Sequence, residues 1–248
     1  MKIIYILWLR QIKKYFRSRS RIVGSLGQPL LFLLAFGFGF GSIYQKAGQG
    51  SYMQFLAPGI IGMGILFTAV FSGIEIIWDR QFGFLKETLV APVSRLKIMI
   101  GRTLGGATVA VFQGVIVLIL TLILGFKPGS FHLVLLAFVF MILIALFFTA
   151  LGTAIASILK DMQGFQLIMN FLLMPIFFLS GSLFPLDGLP KVLTLVTKIN
   201  PFSYGIDGLR GALIGLSHFG LFPDFIILGV ITFLMLGIGS YLFTKIQI

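Results

Sequence analysis

The sequence of 248 residues contains no cysteine, only seven acidic residues and only two histidines. The absence of cysteine excludes a disulfide framework and any thiolate metal site. His132 and His218 lie far apart in sequence near predicted helix ends, so no metal site is expected on them. The chain also has no Gly-Lys pair and therefore no P-loop, so it is not expected to bind ATP in that manner itself.

Charge is scarce and apolar side chains dominate. Charged residues make up 10% of the chain and hydrophobic residues 58%, whereas soluble domains carry roughly 25% charged residues. Apolar stretches of about 20 residues are long enough to cross the hydrocarbon core of a bilayer as helices. The formal net charge of +12 would suggest an acidic partner in a soluble protein, but here no nucleic-acid partner is expected. The composition predicts an all-α integral membrane protein.

Hydropathy and helix breakers divide the chain into six predicted spans. Their ranges are 24–43, 55–77, 98–124, 133–158, 165–184 and 225–243. No repeat and no linker divides the sequence, so residues 1–248 are predicted to form a single transmembrane domain. Most of the 19 Lys and Arg residues precede the first span or follow the second. Because cytoplasmic flanks are enriched in these residues, both termini are expected in the cytoplasm.

The first candidate for function is residues 1–22. Apolar side chains such as Trp8 and Tyr15 recur at helical spacing, and basic side chains such as Arg10, Lys14 and Arg21 occupy the other side. This pattern predicts a helix in the membrane interface with its basic face toward anionic lipid headgroups. A simple topology anchor and a mechanical role are both consistent with it.

The second candidate is the connection 79–97 between the second and third spans. Gly83 allows a sharp turn, residues 84–90 can form a short amphipathic helix, and Pro92 disfavours helix at Ala91. Such a helix suits docking in the groove of a partner, although an ordinary charged loop is an alternative. The candidate docking residues are Asp79, Arg80, Phe82, Gly83, Phe84, Leu85, Lys86, Glu87 and Leu89.

The third candidate is residues 185–222. Pro185 and Pro190 are expected to break the fifth span, and Asn200 is expected to cap a helix that begins at Pro201. Two helices too apolar for water predict an outer re-entrant hairpin beside the transport path. The candidate gate residues are Ser180, Gly181, Pro185, Pro190, Asn200, Pro201, Tyr204, Asp207, Arg210 and Gly211.

Three further features of this region and of the second span carry specific expectations. Gly208, Gly211 and Gly215 are expected to form a packing face, and Asp207 can pair with Arg210 three residues later. Glu75 lies inside the second span, where an ionisable side chain is either functional or paired, with Arg80 or Arg102 as the expected partner.

Three blocks of sequence resemble the ABC-2 family of ABC-transporter permeases, in particular the daunorubicin-resistance type of exporter subunit. They read APGIIGMGILFTAVFSG from Ala57, WDRQFGFLKETLVAPVSRLKIMIGRTL from Trp78, and LSGSLFPLDGLP followed by NPFSYGIDGLR from Leu179. The resemblance implies six spans, an N-terminal amphipathic helix, a coupling helix at residues 79–89 and an outer gate at 179–210. It also implies a dimer of permeases, each bound to a separate P-loop ATPase that holds the ATP and Mg²⁺.

The resemblance and the hydropathy together predict a multi-pass permease in a prokaryotic plasma membrane that exports a hydrophobic or amphipathic solute. A polysaccharide or glycolipid exporter is the alternative within the family. A secondary transporter or channel is less consistent, because no buried coupling-ion groups or inverted repeats are found. A lipid-modifying enzyme would need a nucleophile with a base, and Ser180 has none nearby in sequence.

Overall fold

A computed structural model describes residues 2–46, 51–90, 93–129 and 131–246, and every regular element within these ranges is helical. The elements are α1 Lys2–Arg17, α2 Arg19–Phe32, a π-helical stretch Leu33–Phe38, α3 Gly41–Lys46, α4 Tyr52–Phe71, α5 Ile74–Gln81, α6 Phe84–Val90, α7 Arg95–Ile123, α8 Phe131–Ile158, α9 Met162–Phe178, α10 Lys191–Ile199, α11 Pro201–Ile214 and α12 Leu221–Thr244. The predicted all-α class is therefore confirmed.

Within the described ranges, five helical segments are long and apolar enough to cross a membrane, and five of the six predicted spans correspond to them. They are Arg19–Phe38, Tyr52–Gln81, Arg95–Ile123, Leu133–Ile158 and Leu221–Thr244. The fifth predicted span, 165–184, corresponds to the shorter apolar helix α9, which has 17 residues and ends at Phe178.

Helix α9 ends at Phe178, before the break that was predicted at Pro185 and Pro190. Beyond Phe178 the hydroxyl of Ser180 donates to the carbonyl of Phe177 at 2.7 Å, and Gly181 adopts a positive φ of 79°. A positive φ is readily available to glycine but strained for other residues, so the chain turns at this point. The helix thus stops before Pro185 is reached.

Helix α4 lies at the centre of the bundle and packs against α7, α8 and α11. Most of its side chains from Tyr52 to Val70 are buried. Where it meets α8, a Cβ added to Gly73 would collide with the backbone of Gly152, and one added to Gly152 would collide with the backbone of Val70. The small residues therefore allow the two backbones to approach closely.

Helix α1 packs along α7. A Cβ on Gly101 would lie 2.9 Å from the Cβ of Leu7, and one on Gly105 would lie 2.7 Å from the side chain of Gln11. The helix ends at Arg17, short of the predicted residue 22, and a break at Ser18 starts the first span. The N-terminal segment is thus fixed to the third span by close packing.

Candidate functional site

The candidate docking region is built on α5 and α6, which meet at a glycine turn. Gly83 has a positive φ of 83°, and α6 begins at Phe84, as its sequence predicted. The predicted end of this helix at Ala91 and Pro92 lies outside the described residues, as do the side chains of Lys86 and Leu89. The turn lets α6 leave the axis of the second span.

Aromatic side chains give this region an exposed apolar surface. Trp78, Phe82 and Phe84 are 45%, 65% and 52% exposed, and the rings of Trp78 and Phe82 lie 6.0 Å apart. Glu87 is exposed on the same short helix. Leu85, by contrast, is buried in the hydrophobic core. The surface that α5 and α6 offer to a partner is therefore aromatic, and Leu85 fixes α6 to the bundle.

Asp79 does not face outward with the aromatic residues. Its carboxylate accepts two hydrogen bonds of 3.2 Å from the guanidinium of Arg10 on α1 and one from Arg102 on α7. Asp79 and Arg102 are both buried. One carboxylate therefore joins the N-terminal helix, the end of the second span and the start of the third.

Glu75, one turn earlier on α5, forms a parallel set of ion pairs. Its oxygens lie 2.7 Å from Arg21 and 3.4 Å from Lys14. The prediction that Glu75 pairs with Arg80 or Arg102 is wrong. Arg102 binds Asp79 instead, and Arg80 donates to main-chain carbonyls at the end of α8. Both carboxylates of α5 therefore bind basic residues of the N-terminal segment.

Arg80 closes the second span against the end of α8. Its two terminal nitrogens donate to the carbonyls of Leu159 and Ser157 at 2.9 and 3.1 Å. A guanidinium at the last carbonyls of a helix satisfies groups that have no partner within that helix. Of the predicted docking residues, Asp79 and Arg80 thus bind within the chain, and Phe82 and Phe84 remain exposed.

A buried polar contact joins α1 to the middle of α7. The hydroxyl of Tyr15 donates to Oε1 of Gln113 at 2.8 Å, and Ser25 of α2 lies 3.1 Å from the same oxygen. Burial of Tyr15 raises the pKa of its phenol, so the hydroxyl stays protonated and can donate. Hydropathy gave no sign of this contact, because its partners are distant in sequence.

The outer candidate region centres on Arg210 of α11. This buried guanidinium donates to the carbonyl of Gly181 at 2.7 Å and lies 4.1 Å from the centre of the Phe55 ring. It thereby joins α11 to the turn after α9 and to the first turn of α4. The hydroxyl of Tyr52 also donates to the carbonyl of Leu183 at 2.7 Å, which fixes the same turn to α4.

The predicted pair of Asp207 with Arg210 is replaced by other contacts. The carboxylate of Asp207 accepts hydrogen bonds of 2.7 to 2.8 Å from the backbone N–H groups of His218 and Phe219. It therefore fixes the connection between α11 and α12. The three-residue spacing of Asp207 and Arg210 on one helix allowed the two side chains to pair. It carried no information about the backbone N–H groups of the loop that bind Asp207 instead.

The predicted helix start at residues 200 and 201 is confirmed. The side-chain oxygen of Asn200 accepts from the N–H of Phe202 at 3.0 Å, and Pro201 occupies the first helical position. Pro190 is the residue that precedes α10 and not its first helical residue. Tyr204 donates to the carbonyl of Lys198 at 2.6 Å, so α10 and α11 are joined at their shared corner.

The two outer helices differ in burial. Helix α11 is buried from Phe202 to Leu213 except at Tyr204, while α10 exposes apolar side chains including Val192 and Ile199. Gly208 faces the ring of Phe140 so closely that a Cβ would collide, and Gly211 faces Leu221. The prediction that Gly215 belongs to this packing face is wrong. Gly215 ends α11 with a positive φ of 76°, and a Cβ added to it would have no atom within 4 Å.

The family model of the ABC-2 type transporter matches residues 3–214, from α1 to the end of α11. The chain is 30% identical over 207 residues to the putative transport permease ycf38 of Porphyra purpurea, covering 81% of this chain and 70% of that protein. It is 28% identical over 213 residues to nodulation protein J of Rhizobium leguminosarum bv. trifolii, covering 85% and 78%. Identity to the inner membrane transport permease YadH of Escherichia coli (strain K12) is 27% over 226 residues, covering 90% and 88%.

Proposed function

We propose, from the premise that the chain belongs to the ABC-2 type transporter family, that this integral membrane permease is the transmembrane subunit of an ATP-driven exporter. In this proposal it has the six spans expected of the daunorubicin-resistance type, with α9 as the fifth and both termini in the cytoplasm. Two such subunits form a dimer, and each binds a separate ATPase that supplies ATP and Mg²⁺. The exported solute is hydrophobic or amphipathic.

One observation carries the proposal. The exposed aromatic residues Trp78, Phe82 and Phe84 lie next to Asp79, which is paired with Arg10 and Arg102. A force applied to the aromatic surface can therefore reach α1 through the Arg10–Asp79 pair and α7 through the buried Arg102–Asp79 pair. A partner of changing shape, such as an ATPase that closes on ATP, can move the spans through this connection.

The exposed aromatic surface also has the chemistry of a docking site. Large aromatic side chains dominate the energetics of protein interfaces when a partner buries them. Glu87, which is exposed on α6, adds charge beside them, as in an interface with an apolar centre and a polar rim. We therefore assign the ATPase to the cytoplasmic end of α5 and to α6.

The outer region has the features of a gate. Arg210 joins α11 to the turn after α9, Tyr52 joins that turn to α4, and Asp207 fixes the loop to α12. Movement of α4 relative to α11 would have to break contacts of Arg210 or Tyr52. We propose that α10 and α11 form the outer re-entrant hairpin and that these contacts keep it closed until the spans move.

Reconstitution tests the proposal. The permease is purified from native membranes with the ATPase that accompanies it and incorporated into liposomes with a panel of fluorescent amphiphiles that differ in headgroup charge. We expect transport of at least one amphiphile that requires ATP and that is lost when the ATPase is removed by washing. Transport driven by an ion gradient in washed vesicles would instead identify a secondary transporter.

A further inference from the structure

A cavity of about 380 Å³ lies between α2 and α4, which form most of its lining. Pockets of about 300 to 1,000 Å³ are typical of sites that hold small molecules. Gly24 lines the cavity and is exposed, so the cavity reaches the surface of the chain. In the proposed orientation it lies in the cytoplasmic half of the first two spans.

One wall of the cavity is a polar stripe on α2. Arg21, Ser25 and Gln28 line it at spacings of four and three residues, which places them on one face of the helix. This stripe helps explain why the first candidate span has a mean hydropathy of 1.5, the lowest of the five. Polar side chains inside a span are costly against lipid and are usually directed to a cavity or to protein.

The opposite wall is apolar. Met63, Phe67 and Phe71 line the cavity at four-residue intervals along α4, and Pro29 of α2 adds to them. The two walls run side by side from Arg21 and Phe71 at one end to Gln28 and Met63 at the other. A ligand that satisfies both walls must therefore be amphipathic along its length.

The charge near the Arg21 end indicates the sign of the ligand headgroup. Arg21 and Lys14 share the single carboxylate of Glu75 at 2.7 and 3.4 Å. Two cations therefore face one anion, which leaves a net positive charge beside the cavity, and of the two cations Arg21 lines it.

We propose that this cavity binds an amphiphile with an anionic headgroup from the cytoplasmic leaflet, with the headgroup at Arg21 and the apolar tail along Met63, Phe67 and Phe71. The inference deepens the proposed function and rests on it for the orientation of the cavity in the membrane, because it names the chemical class of ligand that each permease subunit binds. A neutral amphiphile leaves the excess charge unpaired, and a small hydrophilic anion leaves the α4 wall without an apolar partner.

Binding is measured on the full-length permease in phosphatidylcholine nanodiscs, without ATPase. The probes are dansyl-undecanoic acid and its methyl ester, which share a tail and differ in headgroup charge. We expect saturable binding of the acid, and binding of the ester weaker by about tenfold, as loss of one favourable ionic contact would give. Equal affinity for acid and ester would overturn the assignment of the headgroup.

Two pairs of variants locate the site. Gly24 and Gly27 both lie on α2 with no atom within 4 Å of an added Cβ, but only Gly24 lines the cavity. We expect Gly24→Leu to lose the acid probe and Gly27→Leu to keep it. Arg21→Gln should weaken binding of the acid about tenfold, while Arg21→Lys should largely restore it. Equal binding by Gly24→Leu and Gly27→Leu would place the probe elsewhere and contradict the proposal.

The anionic amphiphile has two sources, the exported solute or a resident anionic lipid. Phosphatidylglycerol added to the nanodiscs distinguishes them: full displacement of the acid at ordinary lipid fractions indicates a resident lipid, and retained binding indicates a solute site. Either result supports an anionic amphiphile site. Because the assay contains no ATPase, loss of binding with ATP-driven transport intact would refute this site alone, and the reverse would refute the proposed function alone.

Discussion

Arg10 forms two hydrogen bonds of 3.2 Å with Asp79, across 69 residues of sequence, and so fixes the N-terminal helix to the C-terminal end of the second span. Arg102 binds the same carboxylate from the third span. The three helices that meet at Asp79 are the ones that a partner docked on α6 would have to move together. In the proposed function, this relationship gives α1 a mechanical role.

The first prediction concerns this buried carboxylate. Asp79→Asn keeps the shape of the side chain and leaves the buried Arg102 without its counter-charge, a change that typically costs about 3 to 5 kcal/mol. We expect a clear fall in the apparent Tm of the purified protein in detergent. Glu87→Gln removes a carboxylate that is exposed on α6 and should leave the Tm unchanged; an equal fall in both variants would contradict the role of Asp79.

The second prediction concerns the packing of α11. A Cβ on Gly208 would collide with the ring of Phe140, and overpacking of this kind costs about 1 to 3 kcal/mol. Gly208→Ala should therefore lower the Tm and disturb transport, since it separates α11 from α8. Gly229 of α12 has no neighbour within 4 Å of an added Cβ, so Gly229→Ala should be neutral or slightly stabilising.

The third prediction concerns topology, and the cysteine-free chain makes it direct to test. Lys13 and Lys191 are both exposed, on α1 and at the start of α10. In intact cells we expect an impermeant thiol reagent to label Lys191→Cys and not Lys13→Cys, with both labelled after the membrane is opened. Labelling of Lys13→Cys from outside would contradict the cytoplasmic N-terminus.

Local patterns in the sequence predicted local structure well. Gly83 and the apolar residues after it indicated the short helix α6, and Asn200 with Pro201 indicated the start of α11. Both signals act over a few residues, where side-chain caps and backbone preferences decide the conformation. The spans were found for the same reason, because length and hydropathy are local properties.

Contacts between distant residues were not predictable in this way. Arg21 binds Glu75 from 54 residues away and Arg10 binds Asp79 from 69 residues away, whereas the nearer Arg80 and Arg102 were the partners expected for Glu75. Asp207 was likewise assigned to Arg210 on its own helix, although loop N–H groups take both of its oxygens. The cavity beside α2 was not predictable either, because it forms only where α2 packs against α4.

The most direct test of the account is the contribution of Phe82 and Phe84 to binding and coupling of an ATPase. The double variant Phe82→Ala/Phe84→Ala removes two exposed rings and leaves the buried Leu85 in place, so insertion and Tm should stay at wild-type values. Phe222→Ala, which removes a ring that is 73% exposed at the start of α12, is the matched control.

We expect the double variant to retain about a tenth or less of the copurifying ATPase, the loss that follows from removing interface anchors worth more than about 1 kcal/mol each. ATP-driven transport should fall with it, and Phe222→Ala should behave as wild type. Wild-type amounts of ATPase and wild-type transport in the double variant would contradict the assignment of α6 as the site through which ATP hydrolysis drives this permease.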